Sequence, residues 1–318
     1  MKYNINDRPY MIGLPDGKMP IELIGPINSS AGNGPSNGMS ALQAEFKKII
    51  NQGLNWFSIK TTPSDNSIPW YWYFENRLAA ISHNGPFIQG PNMLFLYSGK
   101  PRIDAYECAL LDAANCQAMF CHTEWYRSLI SKNRKSTNKS DIILWPYPID
   151  PWPDGPSYYK YDLLIYEKNG NHPQLIEHLA EIFPNHIQIH YGKYRREQLF
   201  EAARHSRVCA YLADDDHGPL ALQEILLSGC PVVGVRTGAP FILHGITGVV
   251  VDRLPPGRQR IQCDNDKIAL SSYIDAIDIA HGIDRCLVRT IASDQFNTDK
   301  IVDFILTTLY NITMNCKV

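Results

Sequence analysis

The chain has 318 residues, long for one hydrophobic core and comfortable for two domains of about 150 each. Hydrophobic residues make up 44% and charged residues 19%, the composition of an ordinary soluble globular protein. Against 32 acidic residues stand 30 basic ones, and a net charge of −2 leaves no global electrostatic case for nucleic acid or an anionic membrane.

Residues 1–20 read as a turn-rich surface lead-in, and their polar start lacks the apolar stretch of a secretory signal. The first buried-strand candidate is 21–26. It feeds a loop over 28–38 that carries Gly32, Gly34 and Gly38. An amphipathic helix over 39–52 follows, with Met39, Leu42, Phe46, Ile49 and Ile50 on one face, and then a strand at 56–60. Strand, glycine-rich loop, helix and strand form a βαβ unit, which implies a parallel sheet. Glycines at such a turn bring backbone N–H groups close to a phosphate or a sugar, or merely supply positive φ; this stretch alone does not choose.

Residues 69–83 read as a helix opened by proline. Its aromatics, Trp70, Tyr71, Trp72, Tyr73 and Phe74, suit buried packing or an acceptor groove. A strand over 87–95 is broken by Gly90-Pro91-Asn92, a helix covers 104–114, and a strand over 117–122 ends in His122 before a helix from Glu124. Strand ends are where open α/β sheets bind ligands, which makes His122 a site candidate. Lys132, Arg134, Lys135 and Lys139 form the one basic run, and a solvated loop is its plainer reading. A last strand covers 141–148. Prolines at 146, 148, 151, 153 and 156 then make a stiff linker.

The second half restarts the alternation: strand 161–166, helix 173–183, strand 187–191, helix 195–205, strand 208–213, helix 220–227 and strand 231–235. Short strand pieces are expected at 241–243 and 249–251, and the tail from Asp266 is helical by pattern. The eight cysteines show no zinc-ligand spacing and read as reduced thiols. No run of 18 apolar residues occurs.

The chemistry concentrates between Val208 and Asp252. Asp214-Asp215-Asp216 invites a metal reading, since carboxylates after a strand can hold Mg²⁺. A helix starting near Gly218 and the cation of Lys168 offer another way to neutralise a diphosphate. On that reading no metal is required, Asp216 faces sugar hydroxyls, and Asp214 and Asp215 turn to solvent. Glu224 sits inside an apolar helix, where a carboxylate needs donors. A ribose diol supplies two, and a solvated helix face is the alternative.

The run from Asp216 to Val251 resembles the C-terminal signature of the retaining GT-B glycosyltransferases of family four. The matching residues are Asp216-His-Gly-Pro-Leu220, Glu224, Gly229-Cys-Pro-Val-Val233, Gly238-Ala-Pro240 and His244-Gly-Ile-Thr-Gly248. Pro146-Tyr-Pro-Ile-Asp150 is similar to the family's inter-domain segment. The resemblance implies an α/β fold of GT-B architecture, two Rossmann-like domains with parallel sheets facing across a cleft. It implies an acceptor-binding domain over 1–150, a donor domain over 151–290 and a C-terminal helix over 291–318 packing back on the first. Asp216 and Lys168, by the resemblance, and His122, by its place at a strand end, are the catalytic candidates. Carried over by position, Glu224 binds the donor ribose, Gly218, Pro219 and Leu220 offer backbone N–H groups to the diphosphate, Tyr191 and Tyr194 flank the base, and Gly34 and Gly38 approach the phosphate or sugar. The family's arginine after the first strand of the donor domain has no counterpart beside Glu167-Lys168, and Phe241 stands where a glutamate is usual.

The implied reaction is hexosyl transfer from a nucleoside diphosphate sugar, UDP- or GDP-linked, to a saccharide or lipid-linked acceptor with retention of configuration. No cofactor is expected beyond that donor. The expected location is cytoplasmic, with peripheral membrane association left open. A DNA-modifying transferase acting on a flipped base stays open as an alternative that the net charge disfavours. A non-catalytic nucleotide-sugar-binding protein stays open too.

Overall fold

The structure, a computed structural model, describes residues 8–25, 34–94, 96, 104–135, 140–149 and 158–316. They fall into two compact units. One comprises the chain up to Pro148 together with Thr298 onward, and the other is Ile149–Asn297.

The first unit is built on six parallel strands in the order β2-β1-β3-β4-β5-β6. These are β1 (Ile21–Ile24), β2 (Phe57–Lys60), β3 (Ile68–Tyr73), β4 (Phe87–Asn92), β5 (Cys116–Cys121) and β6 (Asp141–Leu144). Helices α1 (Gly34–Asn51), α2 (Arg77–Ile81), α3 (Ala105–Asp112) and α4 (Glu124–Asn133) alternate with them. A capping box starts α3, with Glu107 N donating to Asp104 and Asp104 N to Glu107. The last helix of the chain, α10 (Thr298–Asn315), packs on α1 and on the short 3₁₀ turn Pro9–Ile12. An Arg8–Asp303 ion pair and a Lys18 ammonium donating to Met314 O tie the two chain ends together.

Four sequence expectations change here. Residues 69–83 are not one helix: β3 runs through Trp70 to Tyr73, all buried, and only Arg77–Ile81 is α-helical. A short, continuous apolar run fits a strand covered on both faces as well as a buried helix, and periodicity cannot separate them. Trp70 and Trp72 are completely buried, so neither forms an acceptor groove. The strand at 87 runs on through Gly90 and Pro91 to Asn92. Gly90 has φ +91°, and a Cβ there would lie 2.3 Å from Phe120 O on the adjacent strand, so only glycine fits. The described part of the lead-in, residues 8–20, is anchored in the unit and is not wholly at the surface. Tyr10 is buried and its carbonyl accepts from Trp56 Nε1 at 2.6 Å. Finally, α1 begins at Gly34, which places Gly34 and Gly38 in its first turns rather than in a loop. The rest of the glycine-rich stretch, the proline-rich segment from 150 to 157 and Lys139 lie outside the described residues.

The second unit holds five parallel strands in the order β11-β10-β9-β7-β8. They are β7 (Tyr161–Glu167), β8 (His186–His190), β9 (Ser206–Leu212), β10 (Val232–Val235) and β11 (Gly248–Val251). Five helices accompany them: α5 (Pro173–Ile182), α6 (Arg196–His205), α7 (Leu220–Leu227), α8 (Asp264–His281) and α9 (Arg285–Gln295). Leu163, Ile165, Val208, Ala210, Tyr273 and Ile277 form the centre of its core. The strand piece expected at 241–243 is turn instead, with a single bridge from His244 to Gly248.

Arg285 closes the far side of this unit. Its guanidinium donates to the carbonyls of Ala203, Arg204, Ser206 and Ser228, which lie at the C-terminal ends of α6 and α7. An Arg285→Ala substitution removes all four of these bonds together. The expected loss of unfolding free energy is about 2–4 kcal/mol, read by urea denaturation. A loss under about 0.5 kcal/mol would mean that water takes over the arginine's bonds.

Candidate functional site

An open α/β sheet binds ligands at the carboxyl edge where the strand order reverses. In the second unit the chain runs from β7 outward to β8 and then returns to the other side of β7 as β9. The reversal therefore lies between the carboxyl ends of β7 and β9. Lys168 follows β7, and the acidic loop 213–219 follows β9.

An ion pair joins the two sides of that point. Lys168 Nζ meets Asp216 Oδ1, with the Lys168 side chain 19% exposed and that of Asp216 2%. Asp216 also accepts from Tyr211 Oη at 3.0 Å and from Gly218 N at 3.2 Å, while its own N–H donates to Thr237 O at 2.9 Å. The carboxylate is thus held by the loop, and it holds the ammonium in turn. The Tyr191 ring lies 5.4 Å from Lys168 Nζ. Beneath them Tyr166 and Tyr211 stack at 4.8 Å, and Tyr166 shares a 3.4 Å hydroxyl contact with Tyr194. Burial pushes the Tyr194 phenol up to about 12 and holds those of Tyr166 and Tyr211 well above the ordinary phenol range, so all three stay neutral donors. His217 is held below the ordinary imidazole range, chiefly by burial.

The three aspartates diverge. Asp214 accepts from His172 Nε2 at 3.2 Å and Asn171 Nδ2 at 3.3 Å, and the His172 bond lowers its carboxyl. Among the described residues no three or more His, Cys, Asp or Glu side chains group as metal ligands.

The start of α7 differs from the sequence expectation. Pro219 has no N–H to offer, Gly218 N is committed to Asp216, and Leu220 N donates back to Gly218 O at 2.8 Å. Gln223 N donates to Pro219 O. The helical positions that lack an intrahelical acceptor are then those of Ala221 and Leu222.

Glu224 lies in the second turn of α7 and is buried, not on a solvated face. Burial raises its carboxyl, and the facing Arg196 pulls it back down. Arg196 Nε donates to Glu224 Oε1 from the first position of α6. Sequence reading missed Arg196 altogether. A signal did exist: Arg195 and Arg196 open a helix, where the dipole disfavours cations, and a cation so placed calls for an anionic partner.

His122 belongs to the first unit, just beyond β5, and is buried. Its Nδ1 donates to Trp145 O at 2.8 Å. The Tyr147 ring lies 3.9 Å away, and Asn92 Nδ2 at the end of β4 donates to Tyr147 Oη at 3.2 Å. The basic run beside α4 is largely committed: Arg134 donates to Ser140 O and Lys135 pairs with Asp112.

No protein-family model and no curated protein matches this chain. Solved structures do. The chain is similar to the lipopolysaccharide outer core galactosyltransferase WaaB, with a TM-score of 0.63 at 10% identity, covering 93% of this chain and 100% of that one. Anabaena Alr3699/HepE, solved with UDP and glucose, gives 0.61 at 12% identity over 92% and 100%. TarM and the pneumococcal O-GlcNAc transferase GtfA, the latter with UDP and GlcNAc, give 0.54 and 0.53 at 12% and 14% identity. This chain spans about half the length of those two, 55% and 57% respectively. At such identities the likeness is one of fold, and the fold is that of the GT-B glycosyltransferases, α/β with two parallel sheets. Among the described residues no helix is long and apolar enough to cross a membrane.

Proposed function

We propose that this chain is a glycosyltransferase that binds a nucleoside diphosphate sugar in its second unit and transfers a hexosyl group to an acceptor hydroxyl. The observation that carries the reading is the Lys168–Asp216 pair at the strand-order reversal, beside the start of α7 and with Glu224 further along the same helix. That arrangement offers a cation for a diphosphate and a carboxylate for a ribose diol. Two fold neighbours whose structures contain UDP and a sugar support it.

In this reading Lys168 and the first-turn N–H groups of α7 stabilise the departing diphosphate, an electrostatic contribution. Glu224 takes the ribose, and Tyr191 and Tyr194 flank the base. Asp216 acts by holding Lys168 and the acidic loop. The acceptor oxygen attacks the anomeric carbon from the face the diphosphate leaves, the carbon–oxygen bond to the diphosphate breaks, and the acceptor proton passes to the leaving oxygen. Configuration is retained and no protein base is needed. Lys168 supplies the charge that a metal would otherwise provide. The acceptor in this reading is a saccharide or a lipid-linked glycan; His122, Asn92 and Tyr147 are buried, as Trp70 and Trp72 are, and are assigned no contact with it. A flipped DNA base is a poorer acceptor, because Trp70 and Trp72 are buried, Arg134 is spent on Ser140 O and Lys135 is paired with Asp112.

Thermal unfolding with UDP, GDP and ADP tests the reading. At a hundredfold excess over Kd a ligand adds about 2.7 kcal/mol, and at about 2–4 °C per kcal/mol Tm rises roughly 5–10 °C. UDP or GDP is expected to do this with EDTA present. No shift with any nucleoside diphosphate at millimolar concentration would overturn the proposal, and a shift only with Mg²⁺ would overturn its metal-free form.

A further inference from the structure

We infer that Arg196 is a positioning residue for nucleotide recognition, holding the Glu224 carboxylate ionised and oriented so that it takes both hydroxyls of a ribose. The inference rests on the donor site proposed above and adds to it a residue that neither the composition nor the motif spacing of the chain singles out.

The geometry has three parts. First, Glu224 is 4% exposed in a helix whose other residues are apolar apart from Gln223. A lone carboxylate so buried would be neutral, and a neutral carboxyl is a poor acceptor for two hydroxyl donors. Second, Arg196 reaches it from a separate element, α6, through one guanidinium nitrogen to one carboxylate oxygen. A carboxylate has about four lone-pair sites, so this single contact fixes the group and leaves acceptor capacity for a diol. Third, Arg196 sits where a helix dipole opposes a cation. That placement costs stability unless Glu224 compensates, and it couples the start of α6 to the site.

Among the described residues, the other charged and titratable groups facing Glu224 are Glu197 on α6, which acts against ionisation, and Tyr194 just before α6, which burial keeps neutral. Arg196 is the cation the structure sets against Glu224, and it favours the charged form against the burial that opposes it. Removing it lets the carboxyl titrate upward. The diol contacts are then lost as pH falls and regained as pH rises through the raised value.

Calorimetric titration with UDP and with 2′-deoxy-UDP, and with the GDP pair if guanine is the base, between pH 5.5 and 8.5 tests this. The wild type should prefer the ribonucleotide about tenfold or more at every pH. Arg196→Met should lose that preference at pH 5.5–6.5 and regain part of it at pH 8.5, while its affinity for the deoxynucleotide changes less than threefold. Arg196→Lys should restore most of the preference. In a Glu224→Gln background the Arg196→Met change should add less than twofold. An unchanged ribo/deoxy ratio in Arg196→Met across the pH range would overturn the inference, and so would an equal loss of both nucleotides. A wild type that binds no nucleoside diphosphate would overturn the donor site itself, and a wild type that binds ribo and deoxy forms equally would overturn the assignment of Glu224 to ribose. Each failure has its own signature.

Discussion

Replacing Lys168 by Met is expected to lower nucleotide-sugar turnover about 10²–10³-fold, the cost of removing one preorganised charge from a developing anion. Lys168 stands at the carboxyl end of β7 with its backbone N–H bonded to Leu212 O, so the first atoms of its side chain are fixed by the sheet. Its ammonium is fixed by Asp216 and faced by Tyr191. Little reorganisation is then needed when a diphosphate arrives. The substitution has a second effect, because it leaves the Asp216 carboxylate buried without its cation. Breaking a buried pair from one side costs about 3–5 kcal/mol, and the partial exposure of Lys168 puts this case at the lower end. The double variant Lys168→Met/Asp216→Asn separates the two effects. It should recover most of the stability in thermal unfolding and none of the turnover. Recovery of both would mean that Lys168 serves the fold alone.

The second large effect is expected at Gly238. A methyl group there would lie 1.7 Å from Ala213 O, far inside contact distance and against backbone rather than a movable side chain. Gly238→Ala should cost about 3 kcal/mol, the upper end of the usual overpacking range, and lower Tm by roughly 6–12 °C. The strain falls on the site. The neighbouring Thr237 accepts from Asp216 N through its carbonyl and donates its hydroxyl to Asp214 O at 2.5 Å. Pushing this turn away from Ala213 shifts the loop that orients Asp216, so nucleotide affinity should fall with stability. Gly282→Ala is the control. Its methyl would meet nothing closer than 3.5 Å, its φ is −84°, and it should change Tm by less than about 2 °C. Equal effects of the two substitutions would show that the 237–238 turn relaxes freely.

The second unit was legible in the sequence because short apolar strands alternate regularly with helices, of which α5 and α6 carry a clear 3.6 period. Strands β7 and β9 and helix α7 lie within about two residues of where pattern alone puts them. The first unit was less so. Its central strand β3 is six residues of aromatic and apolar side chains, and such a run carries no period. Only pairing with β1 and β4 makes it a strand. The turn at 241–243 failed for the opposite reason: a strand-like triplet, Phe-Ile-Leu, has no partner beside it apart from the single bridge that follows.

The same division runs through the candidate site. The sequence by itself determined the alternation of strands and helices and the carboxylate spacing in the acidic stretch, because these depend on neighbours along the chain. It also singled out Glu224 as a charge set among apolar residues, Lys168 by its place just past a strand, and Asp216 by its spacing to Glu224. Tertiary structure alone decided what each of them touches. Lys168 meets Asp216 across two strands 48 positions apart, Arg196 meets Glu224 across 28, and Tyr166 stacks on Tyr211 across 45. Such contacts follow from strand order and register, which spacing along one chain does not encode. Asp216, expected from the sequence to meet the sugar, is placed by the fold against Lys168, a contact that no spacing along the chain announces.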